Sequence, residues 1–353
     1  MRVVVAMSGG VDSSVAAALL VEQGHEVIGL SMQLYDQQQG EVRFGSCCTL
    51  DDLHDARRVA QRLGIPHYIL NFERQFDDHV VSNFVREYLT GRTPIPCAHC
   101  NSDLKFSALL ERARALGADG VATGHYARVA RGAAGRLTLR RGADRAKDQS
   151  YFLFSLTQDQ LDHARFPVGD LAKSEVRDHA RRLDLPVANK PDSHEICFIP
   201  DGEYAGFVER HAASGVGSGW IMNHEGRPLG RHDGIHRFTV GQRKGLGLSG
   251  AHPLYVLELR PESQTVVVGP RAALEKVTLT ASGVNWVGGA PPEARVTVTA
   301  QIRHRHQAAP ASWRSLACDR LALEFETPQT AITPGQAVVL YDGDEVLGGG
   351  WID

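Results

Sequence analysis

The sequence predicts an α/β fold: a parallel sheet covered on both faces by helices, followed by a small central domain and a C-terminal β-barrel. Three observations predict it. Through the first two hundred residues, short β-branched runs alternate with helical stretches, as in repeated strand–helix–strand crossovers. From about Asp201 the texture changes to dense glycines (Gly215, Gly217, Gly219, Gly226, Gly230, Gly234) between short β-like runs. After about Lys276 the chain reads as all-β, in alternating runs separated by Gly, Pro or Asp–Gly turns. A chain of 353 residues is too long for one ordinary core, and the expected division is 1–204, 205–275 and 276–353.

The first-domain elements follow in order. Arg2 to Met7 (RVVVAM) is a buried strand. Asp12 to Gln23 is a helix, with Val11, Val15, Leu19 and Leu20 at helical spacing and Gly24 at its C-terminal cap. Glu26 to Met32 is a second strand. Asp51 to Leu63 is a helix with Leu53, Ala56, Val59, Ala60 and Leu63 on one face, ended by Gly64 and Pro66. His67 to Asn71 is a third strand, Asp77 to Leu89 a helix, Ser102 to Leu116 a helix closed by Gly117, and Gly120 to Thr123 a fourth strand. Ligands of such sheets bind beyond the carboxyl ends of the strands. Met7–Ser14, Met32 and Thr123–His125 each lie just past a strand, so they are expected along one edge.

Composition narrows the class. Hydrophobic residues make up 42% and charged residues 22%, ordinary for a soluble globular protein. No run of eighteen apolar residues and no signal-peptide pattern is present, so the expected location is cytoplasmic, with no membrane contact. The net charge of −3 excludes a nucleic-acid-binding polyelectrolyte, and any RNA must be gripped by local clusters. Four are present: Arg140, Arg141, Arg145 and Lys147; Arg177, Arg181, Arg182 and Lys190; Arg237, Arg243 and Lys244; Arg303 and Arg305.

The sharpest motif is Ser8-Gly9-Gly10-Val11-Asp12-Ser13-Ser14, between a strand and a helix. Its glycines let the backbone turn and approach a phosphate. The helix that follows aims unpaired N–H groups and the positive end of its dipole at the same spot. Ser8, Ser13 and Ser14 add hydroxyls. Asp12 is out of place beside an anion unless it holds Mg²⁺ or a loop amide. The string is neither GxxxxGK[ST] nor GxGxxG, so neither a Walker-type ATPase nor a dinucleotide enzyme is indicated. It resembles the PP-loop of the HUP-like ATP pyrophosphatases. The resemblance implies cleavage of ATP between the α- and β-phosphates, leaving AMP on a carbonyl oxygen.

Six cysteines in this length are not a disulfide framework. Cys47 and Cys48 are adjacent, Cys97 and Cys100 form a CxxC, and Cys197 and Cys318 stand alone. A zinc site from Cys47, Cys48, Cys97 and Cys100 fits poorly, because adjacent cysteines are poor tetrahedral partners. Cys318 is expected to be a buried thiol. Replacing a carbonyl oxygen by sulfur needs an activated oxygen, a sulfur carrier such as a persulfide, and a second thiol to free the sulfur. Cys100, in TPIPCAHCNSDLKF, and Cys197, in PDSHEICFI, lie in Pro-bounded polar stretches expected to be loops. Cys100 is expected just before a helix N-terminus, which promotes thiolate. His194 and Glu195 flank the Cys197 loop and could tune its thiol.

A closer resemblance spans nearly the whole chain. The segments AMSGGVDSS (6–14), GLSMQLYD (29–36), DDLHDARRVA (51–60), GRTPIPCAHCN (91–101), TGHYARV (123–129), KDQSYFLF (147–154), DSHEICFIP (192–200), TVGQRKGLGL (239–248) and TPGQAVVLYDGDEVLGGG (333–350) resemble the bacterial tRNA-specific 2-thiouridylases. The resemblance implies thiolation of a wobble uridine, with ATP and Mg²⁺ and a sulfur-donor protein, in a monomeric enzyme. It implies Cys100 as nucleophile and Cys197 as persulfide carrier, able to close into a disulfide. Ala6, Met7, Ser8, Gly9, Gly10, Val11, Asp12, Ser13, Met32 and Gly124 would surround ATP. Ile95, Pro96, Cys97, His125, Lys147, Asp148, Gln149, Arg303, His304, Arg305 and Gln336 would contact tRNA. Cys97 departs from the family, many members of which carry a general-base aspartate there. Cys97, Cys100 and Cys197 could instead ligate a [4Fe–4S] cluster, and the two sulfur schemes remain open from the sequence.

Overall fold

The computed structural model describes residues 1–35, 50–132, 135–192, 196–199, 202–212, 216–249, 252–292, 297–316 and 319–353. The N-terminal part contributes β1 (Arg2–Ala6), β2 (Glu26–Gln33), β3 (His67–Asn71), β4 (Gly120–Ala122), β5 (Ala127–Arg131), β6 (Leu137–Arg141) and β7 (Ala164–Arg165). Among the described residues five of these form a parallel sheet in the order β3–β2–β1–β4–β7. Alternation along β1 sends Val3 and Val5 to one face and Val4 to the other. The first face is covered by α1 (Val11–Glu22) and α2 (Leu50–Leu63), through Val15, Ala56 and Val59.

The opposite face is covered by two long helical rods. One runs from α3 (Glu73–Phe76) through wide π-type turns at Asp77–Val81 into α4 (Ser82–Leu89). The other runs from α5 (Pro96–His99) through similar turns at Cys100–Ala108 into α6 (Leu109–Ala115). Phe76, Phe84, Leu104 and Leu109 bury the Val4 face. The expectation of a helix starting near Ser102 is corrected here, because the helix starts at Pro96. A proline costs no hydrogen bond in the first helical turn, so TPIPC opens the helix rather than delaying it.

Among the described residues three further α-helices follow: α7 (Gln158–His163), α8 (Lys173–Arg182) and α9 (Tyr204–His211). The first of them begins with a capping box, Thr157 with Gln160. Val176 and Ala180 of α8 pack beside α1. The central domain is a four-stranded sheet of β8 (Gly219–Asn223), β9 (Pro228–His232), β10 (Tyr255–Arg260) and β11 (Thr265–Gly269), ordered β10–β11–β8–β9. Ile221, Phe238, Val256 and Val266 form its core.

The C-terminal strands are β12 (Glu275–Trp286), β13 (Val298–Gln301), β14 (Ala309–Leu316), β15 (Arg320–Thr330), β16 (Ala337–Asp342) and β17 (Glu345–Ile352). They pair in the order β12–β15–β14–β13–β16–β17, and Ala281↔Ile352 and Trp286↔Gly348 close β17 back onto β12. Closure removes the open edges of the barrel. The hairpin β5–β6 then adds to this sheet, with Arg140 opposite Glu345 and Leu139 opposite Val346. Side chains join the same two bodies. Tyr151 Oη donates to the Ala337 carbonyl at 3.0 Å, and Asn285 Nδ2 donates to the Phe154 carbonyl at 2.8 Å. No helix among the described residues is long and apolar enough to cross a membrane.

Candidate active site

The SGGVDSS loop sits where β1 ends and α1 begins. Gly9 has φ +72°, and a Cβ there would stand 2.2 Å from the Asp52 carbonyl oxygen, so only glycine fits. Gly10 caps the helix in an extended conformation without a side-chain bond. Ser13 and Ser14 hydroxyls both donate to the Gly10 carbonyl, at 3.2 and 2.8 Å, and Ser8 N–H donates to Ser13 Oγ at 3.3 Å. The end of β4 presses on the same turn: a Cβ on Gly124 would lie 2.5 Å from Ser13 N. Ser31 Oγ donates to the Met7 carbonyl at 2.7 Å, fixing the end of β1 against β2. Met7 and Met32 are buried on opposite faces of the sheet.

Around this loop lies a network of charges that the sequence motifs did not reveal. The Asp12 carboxylate accepts from Lys173 Nζ at 2.7 and 2.9 Å and from Tyr126 Oη at 2.8 Å. Lys173 Nζ also reaches Asp192 at 2.8 Å, and Asp192 is held in addition by Lys147 at 2.7 Å and Arg177 at 3.0 Å. Burial alone would raise the Asp192 carboxyl, but hydrogen bonds from Lys147 and Lys173 outweigh it and hold the pKa at about 2. Burial, reinforced by Asp12, pushes the Tyr126 phenol well up, so it stays a donor. On the other side of the loop Lys190 Nζ bonds the Gly9 carbonyl at 3.1 Å, Asp52 at 2.6 Å and Asp55 at 2.7 Å. Lys173 lies 161 residues from Asp12, so no local signal could have paired the two.

The cysteines take different places from those expected. Cys97 is the exposed second residue of α5, inside the first helical turn. Cys100 is a turn further along and half-buried, so Cys97, not Cys100, stands in the first helical turn. Cys197 is half-buried in a turn, and both Cys100 and Cys197 pack on the core that covers the Val4 face. Phe198, beside Cys197, meets Phe76, Phe84 and Phe207 edge-on or tilted, with centroids 5.2–5.4 Å apart. Among the described residues no group of three His, Cys, Asp or Glu side chains converges to hold a metal ion. Cys47, Cys48, His194, Glu195 and Cys318 lie outside the described residues.

The residues expected to contact tRNA come together in part. Gln149 accepts from Tyr126 N–H at 3.0 Å, next to the phosphate loop. Asp148 is buried and accepts from Arg141 at 2.8 Å and from the Gly142 and Ser150 amides. Arg141 also donates to Gln301 at 3.2 Å, and Gln301 donates to the Arg303 and His304 carbonyls. The His304 ring lies 4.6 Å from Phe152, so the 147–154 and 303–305 segments meet. Arg305 is exposed, and Arg303 donates to the Thr330 carbonyl at 3.0 Å. His125 is half-buried beside Phe106 and Phe166, bonded to Thr123 at 2.6 Å. Burial, aided by Lys105, drives the His125 pKa well down, so its ring is neutral. Ile95 and Pro96 are buried beneath the helix start, and Gln336 donates to the Thr93 carbonyl at 2.9 Å. Many of the basic residues are already paired: Arg145 with Asp344, Arg181 with Asp178, Arg182 with Glu22, and Arg237 with Glu209.

Comparison with known proteins agrees with this architecture. Three family models match in chain order: a tRNA methyl transferase HUP domain over 1–201, a tRNA methyl transferase PRC-barrel domain over 205–270, and an aminomethyltransferase β-barrel domain over 276–352. The tRNA-specific 2-thiouridylase MnmA of Geotalea uraniireducens is 53% identical over 357 residues, covering 100% of this chain and 95% of the relative. Its namesake from Geobacter metallireducens is 52% identical, covering 100% and 96%. Likeness to solved structures is slight. A 4-thiouridine synthetase–RNA complex with bound ATP aligns at TM-score 0.36 and 15% identity, covering 59% of this chain and 50% of that one. At about half identity over its full length, the chain belongs to the tRNA-specific 2-thiouridylase family.

Proposed function

We propose that this chain is an ATP-dependent tRNA sulfurtransferase that converts a wobble uridine to 2-thiouridine. The observation that carries the reading is the meeting at Tyr126: its hydroxyl holds Asp12 of the phosphate loop, and its backbone is paired with Gln149 of the KDQ segment. The nucleotide site and the expected RNA contact are thus adjacent. The first-turn amides of α1 receive the phosphates of ATP. Asp12 would hold a Mg²⁺ ion accompanying them, which would supply charge neutralisation when bound. The uracil 2-carbonyl oxygen attacks the α-phosphorus, and pyrophosphate leaves. The terminal sulfur of a Cys197 persulfide then attacks C2, and AMP leaves with the former carbonyl oxygen. Cys100 attacks the inner sulfur of Cys197, closing a Cys100–Cys197 disulfide and freeing the transferred sulfur. A donor protein reloads Cys197 after reduction.

The neutral His125 ring, backed by the buried Phe106, offers an apolar wall with Phe166 for a flipped base. In this reading the chain divides into 1–204, 205–275 and 276–353, and Arg303, His304 and Arg305 of the last part meet the RNA arm. The enzyme is taken to be a cytoplasmic monomer. Cys100→Ser and Cys197→Ser are expected to abolish thiolation while tRNA and ATP binding persist, read by 2-thiouridine content and by ATP–pyrophosphate exchange with tRNA. Normal thiolation by either variant would end the cysteine scheme.

A further inference from the structure

We propose that Lys173 is the arm of the site that binds the pyrophosphate end of ATP, moving from Asp12 to the β- and γ-phosphates as the nucleotide enters. The inference rests on the ATP reading above and adds a ligand contact to it. Lys173 is the first residue of α8, and its backbone is well fixed: its N–H donates to Asp144 at 3.0 Å, and Ala172 N–H donates to Glu175 at 2.6 Å. Only the side chain reaches the loop. It is 13% exposed, with its ammonium divided between Asp12 and Asp192.

The carboxylate of Asp12 stands in the first turn of α1, where the phosphates must come. An uncompensated carboxylate there would repel a polyphosphate; the Lys173 ammonium cancels that charge. A metal ion carried by the polyphosphate would be held by Asp12, and Lys173 would meet a stronger anion than the carboxylate it leaves. Asp192 does not lose its support in the exchange, because Lys147 and Arg177 hold it independently. Lys190 lacks this freedom. It grips the Gly9 carbonyl together with Asp52 and Asp55, and so braces the loop rather than serving the ligand. As the bond from uracil O2 to the α-phosphorus forms, the electron pair of the breaking P–O bond leaves on pyrophosphate. Lys173 bears on that charge.

The test uses the full chain with inorganic pyrophosphate and Mg²⁺ as probe and AMP as control, by titration calorimetry. Lys173→Met is expected to weaken pyrophosphate binding by at least about tenfold, the scale of one charged hydrogen bond, and AMP binding by less than about threefold. Lys173→Arg is expected to restore most of the loss. Lys173→Gln, which can still bond Asp12, serves if the methionine variant does not fold. Unchanged pyrophosphate affinity in these variants, or equal losses for AMP and pyrophosphate, would overturn the proposal. A chain that shows the expected selectivity but makes no 2-thiouridine would sink the sulfur-transfer reading and leave this one standing.

Discussion

His99 lies face to face with Trp351, with ring centroids 4.7 Å apart and planes 4° from parallel. His99 sits between the two cysteines of the CAHC turn, and Trp351 belongs to the last strand of the barrel. The barrel therefore braces the start of the cysteine-bearing helix. His99 is also bonded to Asp103 at 3.3 Å, and Arg92 donates to the Ile352 carbonyl at 2.9 Å. Trp351→Ala is expected to cost about 2 kcal/mol, from lost stacking and burial, and Trp351→Phe much less. Urea unfolding of the two variants checks this; equal midpoints would show that the stack is idle.

Gly9 and Gly124 shape the loop from two sides. Gly9→Ala places a methyl inside the Asp52 carbonyl and strains a positive φ, and Gly124→Ala drives one into Ser13 N. Both are expected to raise the Kd for ATP more than about tenfold, because the first-turn amides of α1 shift. Nucleotide titration is the check, with Gly10→Ala as comparison, since its nearest neighbour would be Ser8 Oγ at 3.6 Å. Equal effects at all three positions would refute the steric reading.

Arg141 is largely buried, bonded to Asp148 at 2.8 Å and lying 3.5 Å over the Tyr341 ring. Arg141→Ala leaves the Asp148 carboxylate buried with its main cation gone. A loss of about 3 kcal/mol is expected, and about 1 kcal/mol for Arg141→Lys, which keeps the charge but not the planar stacking. A double-mutant cycle with Asp148→Asn measures the coupling; an additive result would remove the pair from the account.

Acidification should weaken the fold before the carboxylates titrate. Burial holds the pKa of His67, His125, His232, His236 and His306 below the usual 6.5, although Glu209 partly offsets this at His236 and Gln329 at His306. The unfolded chain then takes up protons near pH 6.5 that the folded chain refuses, so stability falls as pH drops below that value. Asp192 acts lower down: its depressed pKa contributes stability above about pH 4 that is lost toward its folded value of about 2. Between pH 7.5 and 5.5 the urea midpoint is expected to fall by the equivalent of about 1 kcal/mol or more, with an unchanged slope. A flat profile over that interval would contradict the buried neutral rings.

Much of the catalytic domain could be read along the chain because its signals are local. The alternation of β1, α1, β2 and α2 and the Gly9–Gly10 turn each lie within a dozen or so residues, and the SGGVDSS loop joins a strand to a helix as the pattern predicts. The start of the cysteine helix was hidden because Pro94 and Pro96 read as loop residues, while Pro96 occupies the one helical turn that tolerates it. The Lys173–Asp12 and Lys147–Asp192 pairs were hidden for another reason: each partner looks like an ordinary surface charge until the chain is folded. The β5–β6 hairpin belongs to this second class, since its partner strand lies two hundred residues on.

That hairpin has an engineering consequence. Residues 127–131 and 137–141 travel in the chain with the N-terminal half but complete the sheet of the other half. The barrel is therefore not a detachable cassette. A chimera joined near residue 275 would transplant six strands and leave behind the ribbon that one of them was shaped to meet. A graft that keeps its solubility must carry both halves of that seam from the same parent.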